Sequence, residues 1–94
     1  MRPPRLPGGM AERCPPPYPR AALRDHIQGL VVLQAQVGPD GRPTMVTVAR
    51  SSGFPILDNA ALDALRSCRF EPATENGRPI PFRYEVPYRF RMEN

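Results

Sequence analysis

The stretch Ser51–Ala73, SSGFPILDNAALDALRSCRFEPA, decides how this chain folds. Ser51, Ser52 and Gly53 are turn formers that close a strand-like run. Pro55 suits a first helical turn, where its missing N–H is not needed. Leu57, Ala61, Leu65 and Cys68 then recur at spacings of four, four and three, a single apolar stripe along a helix. Asp58 and Asp63 lie toward the start and Arg66 and Arg69 toward the end, the order that the helix dipole favours. Pro72 is expected to stop the helix. A helix of about three turns thus leaves one strand and delivers the chain to another.

Working outward, Leu30–Val37 reads as the first strand. Val31, Leu33, Ala35 and Val37 share one face, and Gln34 and Gln36 point the other way. Gly38-Pro39-Asp40-Gly41 is a turn, because proline fixes φ and glycine accepts a positive one. Thr44–Arg50 is the second strand, with Val46 and Val48 inward. After the helix, Thr74-Glu75-Asn76-Gly77 is another turn. The third strand starts at Ile80 or Phe82 and runs to Met92. In it Phe82, Tyr84, Val86, Tyr88, Phe90 and Met92 alternate strictly with Arg83, Glu85, Pro87, Arg89 and Arg91. Upstream, Pro19 opens a short helix reaching about His26, with Leu23 and Ile27 inward and Gly29 placed to end it. Met1–Arg13, rich in proline and glycine, is expected to be a disordered tail or the end of a linker, which leaves 14–94 as the folded domain.

These pieces assemble in one way. The first two strands form an antiparallel hairpin, and a right-handed crossover of the helix over the first strand places the third strand beside it. The fold class is α+β: a three-stranded antiparallel or mixed sheet in the order 2-1-3, with two helices packed on one face.

The 94 residues allow one small core. The net charge of +4 rests on 13 basic residues, all arginine, scattered along the chain and read as solvated faces. No stretch approaches the ~18 apolar residues of a membrane span, and nothing near Met1 resembles a signal peptide. Two cysteines and one histidine make no usual metal-ligand set, so no metal site and no cofactor are expected. Ser51, Ser52 and Ser67 have no histidine and acid placed to activate them, and His26 has no nucleophile near it, so no catalytic residue is expected. Nucleic-acid binding by a basic sheet needs aromatic rings on the solvent face. Here Phe82, Tyr84, Tyr88 and Phe90 share the core face with Val86, which argues against a nucleic-acid partner.

Pro87 makes the third strand an edge, since it cannot donate to a neighbouring strand. Its nitrogen must face away from the first strand. Arg83, Glu85, Pro87, Arg89 and Arg91 then turn their backbone groups to the free edge and their side chains to solvent. The charges and the proline either protect that edge from unwanted pairing or dress an edge that accepts another strand.

SSG, LDNAAL and CRFEPA in the opening stretch resemble the C-terminal domain of the TonB family of periplasmic energy transducers. Pro17–Pro19 (PYP), GLVVLQAQVGPDG at Gly29–Gly41 and VPYRF at Val86–Phe90 fit the same pattern in the same order, and the likeness covers most of Cys14–Met92. One departure is that Cys68 stands where the family commonly has tryptophan. The resemblance implies the fold above and a domain that is not an enzyme. It implies a periplasmic location, with the full-length protein anchored in the inner membrane. It further implies capture of the TonB box, a short segment of an outer-membrane transporter, beside the last strand, along Arg83, Glu85, Pro87, Arg89 and Arg91. Residues around the PYP segment, here Pro15, Pro16 and Tyr18, would add contacts, although some relatives carry polar residues where this chain has Pro15 and Pro16. Energy would come from the proton-driven ExbB–ExbD motor and serve uptake of siderophores or similar nutrients. An interaction or scaffold module without motor coupling is the alternative, and a homodimer through the third strand competes for the same edge. Family members carry an N-terminal anchor and a proline-rich spacer. The chain is therefore expected to be an excised domain, or else a stand-alone relative exported by other means. The family's oxidising compartment implies that Cys14 and Cys68 are joined in a disulfide, with a buried free thiol at Cys68 as the alternative.

Overall fold

The first strand, β1 (Gly29–Val37), is the middle of the sheet, and its inward side chains Val31, Leu33 and Ala35 are fully buried. This computed structural model describes residues 14–92; the expected tail Met1–Arg13 lies outside the described residues. Ahead of β1 comes the short helix α1 (Arg20–Arg24), and after it β2 (Pro43–Arg50). The long helix α2 (Pro55–Arg66) follows, then β3 (Ala73–Glu75), β4 (Arg78–Ile80) and β5 (Phe82–Phe90). The main sheet has the order β2-β1-β5, which is the expected 2-1-3, and both of its pairings are antiparallel. The β1–β5 register runs without interruption from Gly29 opposite Phe90 to Val37 opposite Phe82. The β1–β2 ladder has irregularities at Val32/Leu33 and at Gln36/Val37.

The apolar stripe of α2 packs as read: Leu57, Ala61 and Leu65 have no exposed surface. Burial of that stripe, together with β1, Tyr84, Val86, Tyr88 and Phe90, forms the core. The helix ends earlier than its stripe suggests, at Arg66 rather than before Pro72. Ser67 closes it, its hydroxyl donating to the carbonyls of Asp63 at 3.1 Å and Ala64 at 3.3 Å. The chain then straightens, which lets the Phe70 amide reach the Gly41 carbonyl at 2.8 Å and the Phe70 ring stack on Tyr84 at 5.5 Å. Cys68 is buried but lies just beyond the helix.

Three further boundaries differ from the expectation. In α1 the buried residue is Ala22, while Leu23 is 43% exposed. A positive φ of 57° at His26 turns the chain out of that helix, so Gly29 opens β1 instead of ending α1. The third strand of the sheet stops at Phe90 rather than Met92, whose amide donates to the Gln28 side chain at 2.8 Å. Around the expected turn at Asn76-Gly77, β3 and β4 pair as a small second sheet. Both turn residues have positive φ, the two-residue hairpin geometry that Asn-Gly favours.

A polar lock holds the start of α2. Asp58 accepts from the Ser51 hydroxyl, from the Ser52 amide at 3.0 Å and from the Ser52 hydroxyl at 2.8 Å. Partial burial works against its charge, but these three hydrogen bonds outweigh it and hold the carboxyl below its ordinary value of 3.8. Deprotonated Asp58 therefore contributes stability at pH values above 3.8, and the contribution is lost as acid protonates it below that value. Asp58→Ala is expected to cost roughly 1–2 kcal/mol at neutral pH and to flatten the acid limb of a stability-against-pH curve measured by urea unfolding.

Gly41 has a second constraint besides its φ of +81°. A Cβ there would lie 2.2 Å from the Phe70 carbonyl oxygen. Gly77 has a similar φ of +79° with nothing within 4 Å of the added carbon. Gly77→Ala is thus expected to cost about 1 kcal/mol for the left-handed backbone alone. Gly41→Ala should cost clearly more, because backbone must also move, and thermal melts of the two variants measure the difference.

Candidate functional site

Pro87 lies opposite Val32 in the β1–β5 ladder. It has no N–H to place between the strands, so the bonded positions on β5 are its neighbours Val86 and Tyr88 and their alternates. Those residues are buried, while Arg83, Glu85, Pro87 and Arg89 are exposed. Their backbone groups consequently face the outer side of β5, where no strand pairs among the described residues. Arg91, also exposed, continues the row just past the strand end. The five expected edge residues are therefore brought into one line.

The other expected contact residues are placed differently. The Tyr18 hydroxyl donates to the Ile27 carbonyl, and its ring meets Phe90 edge-on at 5.4 Å. The Cys14 carbonyl accepts from the buried Tyr88 hydroxyl at 2.7 Å. Residues 14–18 thus lie over the packed face of β5, not on its charged face. Tyr18 is engaged inside the domain, Pro16 is half-buried and Pro15 is exposed. Burial raises the Tyr88 hydroxyl above its ordinary value of 10.0, and burial likewise raises Tyr84, whose hydroxyl donates to the Glu71 carbonyl at 3.2 Å.

Cys14 and Cys68 form a disulfide, with Cα atoms 5.9 Å apart and a sequence separation of 54. It ties the segment before α1 to the chain leaving α2. The resemblance-based expectation of a disulfide therefore holds in the structure, and a buried free thiol at Cys68 does not.

On the open face, the cross-strand neighbours of Arg83, Glu85, Pro87 and Arg89 are Gln36, Gln34, Val32 and Leu30. The alternation of β1 pointed the two glutamines away from the core, but their pairing with particular charges needed the register. An open groove of about 480 Å³ lies where β5 begins, bordered by Gln36, Gly38, Pro39, Thr44, Phe82 and Arg83. The one hydroxyl there, on Thr44, donates to the Gln36 carbonyl. No group of three or more His, Cys, Asp or Glu side chains that could hold a metal occurs among the described residues. Among them, too, no helix is long and apolar enough to cross a membrane. The aromatic side chains of β5 lie on the packed face, so the sheet offers no stacking platform.

The class is now defined: a small α+β domain whose three-stranded antiparallel sheet is backed by helices and ends in a charged, unpaired strand. The family described as Gram-negative bacterial TonB protein C-terminal matches residues 15–92. Protein TonB of Xanthomonas campestris pv. campestris (strain B100) is 42% identical over 78 residues, covering 83% of this chain and 35% of that protein. Protein TonB of Vibrio cholerae is 33% identical over 78 residues, covering 83% of this chain and 32% of that protein. The solution structure of the Helicobacter pylori TonB C-terminal domain superposes with a TM-score of 0.66 at 25% identity, covering 87% of this chain and 84% of that one. The chain belongs to the TonB C-terminal family. It spans about a third of the length of these two relatives.

The disulfide closes a loop that the chain-entropy account values at up to about 4 kcal/mol. Thiol labelling of the unfolded, unreduced protein should therefore find no reactive cysteine. Reduction should lower the melting temperature by well over 5 °C for a domain of this size.

Proposed function

We propose that this domain is the periplasmic coupling end of a TonB-type energy transducer and binds the TonB box of an outer-membrane transporter by strand addition at β5. The observation that carries the reading is the unpaired outer edge of β5, phased by Pro87 so that alternate backbone groups face outward. An extended segment laid along that edge gains main-chain hydrogen bonds, with a gap where Pro87 has no N–H. Family membership supports the rest of the reading. An inner-membrane anchor would link the domain to the ExbB–ExbD motor, and tension or rotation would then remodel the transporter for uptake of siderophores or similar nutrients. The domain acts by grip and transmission and is not an enzyme. Arg83, Glu85, Pro87, Arg89 and Arg91 form the docking row, and Pro15 is an exposed residue of the neighbouring entry segment. In this reading Met1–Arg13 belongs to the linker that leads to the folded domain.

A peptide carrying the TonB box of a transporter from the same organism tests this by amide chemical-shift changes. Shifts should concentrate at Glu85, Arg89 and Arg91. Arg89→Ala should weaken binding only a few-fold, since an exposed charge contributes at most about 1 kcal/mol. Arg89→Pro should abolish it while leaving the fold intact, because it removes an outward N–H and no bond to β1. Shifts confined to β1 and β2 would place the partner elsewhere, and a dimer that dissociates on adding peptide would show that a second copy uses the same edge.

A further inference from the structure

The open-face row on β5 reads Arg83, Glu85, Pro87, Arg89, all exposed. Across the ladder on that face stand Gln36, Gln34, Val32 and Leu30, one beside each, and all four are uncharged. The ion pairs among the described residues are Arg24–Asp25, Arg42–Asp40 and Arg66–Asp63, so none involves β5. Directly opposed side chains are the unit by which adjacent strands recognise each other, opposite charges favouring the pair and like charges opposing it. β1 leaves three charges of the row unanswered, and the remaining lateral position is the free edge.

A second copy of β5 answers them only in part. Antiparallel pairing centred on Pro87 sets two Glu85–Arg89 attractions against two Arg83–Arg91 repulsions and abuts two prolines. A shift by two residues one way leaves Arg83 opposite Arg89 at both ends. The shift the other way pairs Glu85 with Arg91 at both ends but sets Arg89 opposite Pro87, so Arg89 meets no charge.

We infer that the edge selects an extended segment of another protein whose alternate residues run acidic, apolar, basic, acidic opposite Arg89, Pro87, Glu85 and Arg83. This rests on the strand addition proposed above and specifies its chemistry. Side chains alternate along a strand, so these are every second residue, and the intervening ones turn to the packed side. The recognised feature is the order of charges, beyond a general preference for acidic peptides. An antiparallel segment presents the row as Glu-x-Val-x-Lys-x-Glu, and a parallel one presents it in reverse.

The probes are the nonapeptide Thr-Glu-Thr-Val-Thr-Lys-Thr-Glu-Thr, its reversal, and the permuted peptide Thr-Lys-Thr-Val-Thr-Glu-Thr-Glu-Thr. All three have the same composition and charge. They are titrated into the disulfide-bonded domain by NMR at low and high salt. One of the first two should bind roughly tenfold more tightly than the permuted peptide, with the difference shrinking as salt rises. Glu85→Lys should reverse the preference at its position, favouring the same peptide with glutamate in place of lysine. Equal binding of all three with β5 amides moving would overturn the charge order while leaving strand addition standing. No movement of β5 with any peptide, under conditions where a TonB-box peptide does move it, would equally overturn the charge order. Silence of β5 toward every peptide would remove strand addition itself. Concentration-dependent β5 shifts without peptide would assign the row to a second copy.

Discussion

The ladder between β1 and β5 is the constraint on which the rest of this domain depends. It runs from Gly29–Phe90 to Val37–Phe82 without a bulge, and Pro87 fixes its phase because a residue without an N–H cannot occupy a bonded position. With the phase fixed, the side chains sort themselves. Tyr84, Val86, Tyr88 and Phe90 go to the core with Val31, Leu33 and Ala35, and the charged residues go to the open face. A slip of one residue would exchange the two sets, burying three charges at a cost that no other contact here could offset. Core and candidate site are thus two sides of a single register.

The sheet was legible in the sequence wherever periodicity and turn chemistry agreed. Strict alternation in Phe82–Phe90, the Gly38–Gly41 turn and the Leu57–Ala61–Leu65 stripe each have a local cause, and each appears in the structure. What could not be read there depends on contacts distant in sequence. The early end of α2 follows from Phe70 pairing with Gly41, a contact across 29 residues that leaves no periodic trace. Ala22 replaces Leu23 at the core because so short a helix is oriented by its neighbours more than by its own pattern. The β3 and β4 strands are three residues each, too short for alternation to register, although the Asn76-Gly77 turn between them was visible.

The candidate site divides along the same line. Pro87 and the arginines announced an edge by themselves. The neutral partners beside them on β1 became evident only once the register was known. Tyr18, grouped with the contact residues by resemblance, spends its hydroxyl and ring inside the domain on Ile27 and Phe90. The stabilising devices, namely the Asp58 lock, the Gly41–Phe70 approach and the disulfide, all involve residues outside the β5 row. The edge can therefore vary in charge without disturbing what holds the sheet together.

Under the coupling proposed above, the disulfide gives a mechanical load a second route across the domain. Gly29 and Phe90 are paired, so the chain enters β1 at the same end from which it leaves β5. A pull arriving through the intervening chain would reach that end and peel the two strands apart one rung at a time. The Cys14–Cys68 bond sets a second path beside this one. Tension applied at Cys14 would be shared between the chain leading to β1 and the two sulfurs leading to Cys68, and the second path runs through the segment after α2 to β5 at Phe82, the opposite end. That share would draw β5 along its own axis, so that a strand added as proposed on its outer edge would be loaded in shear, with its rungs sharing the force together.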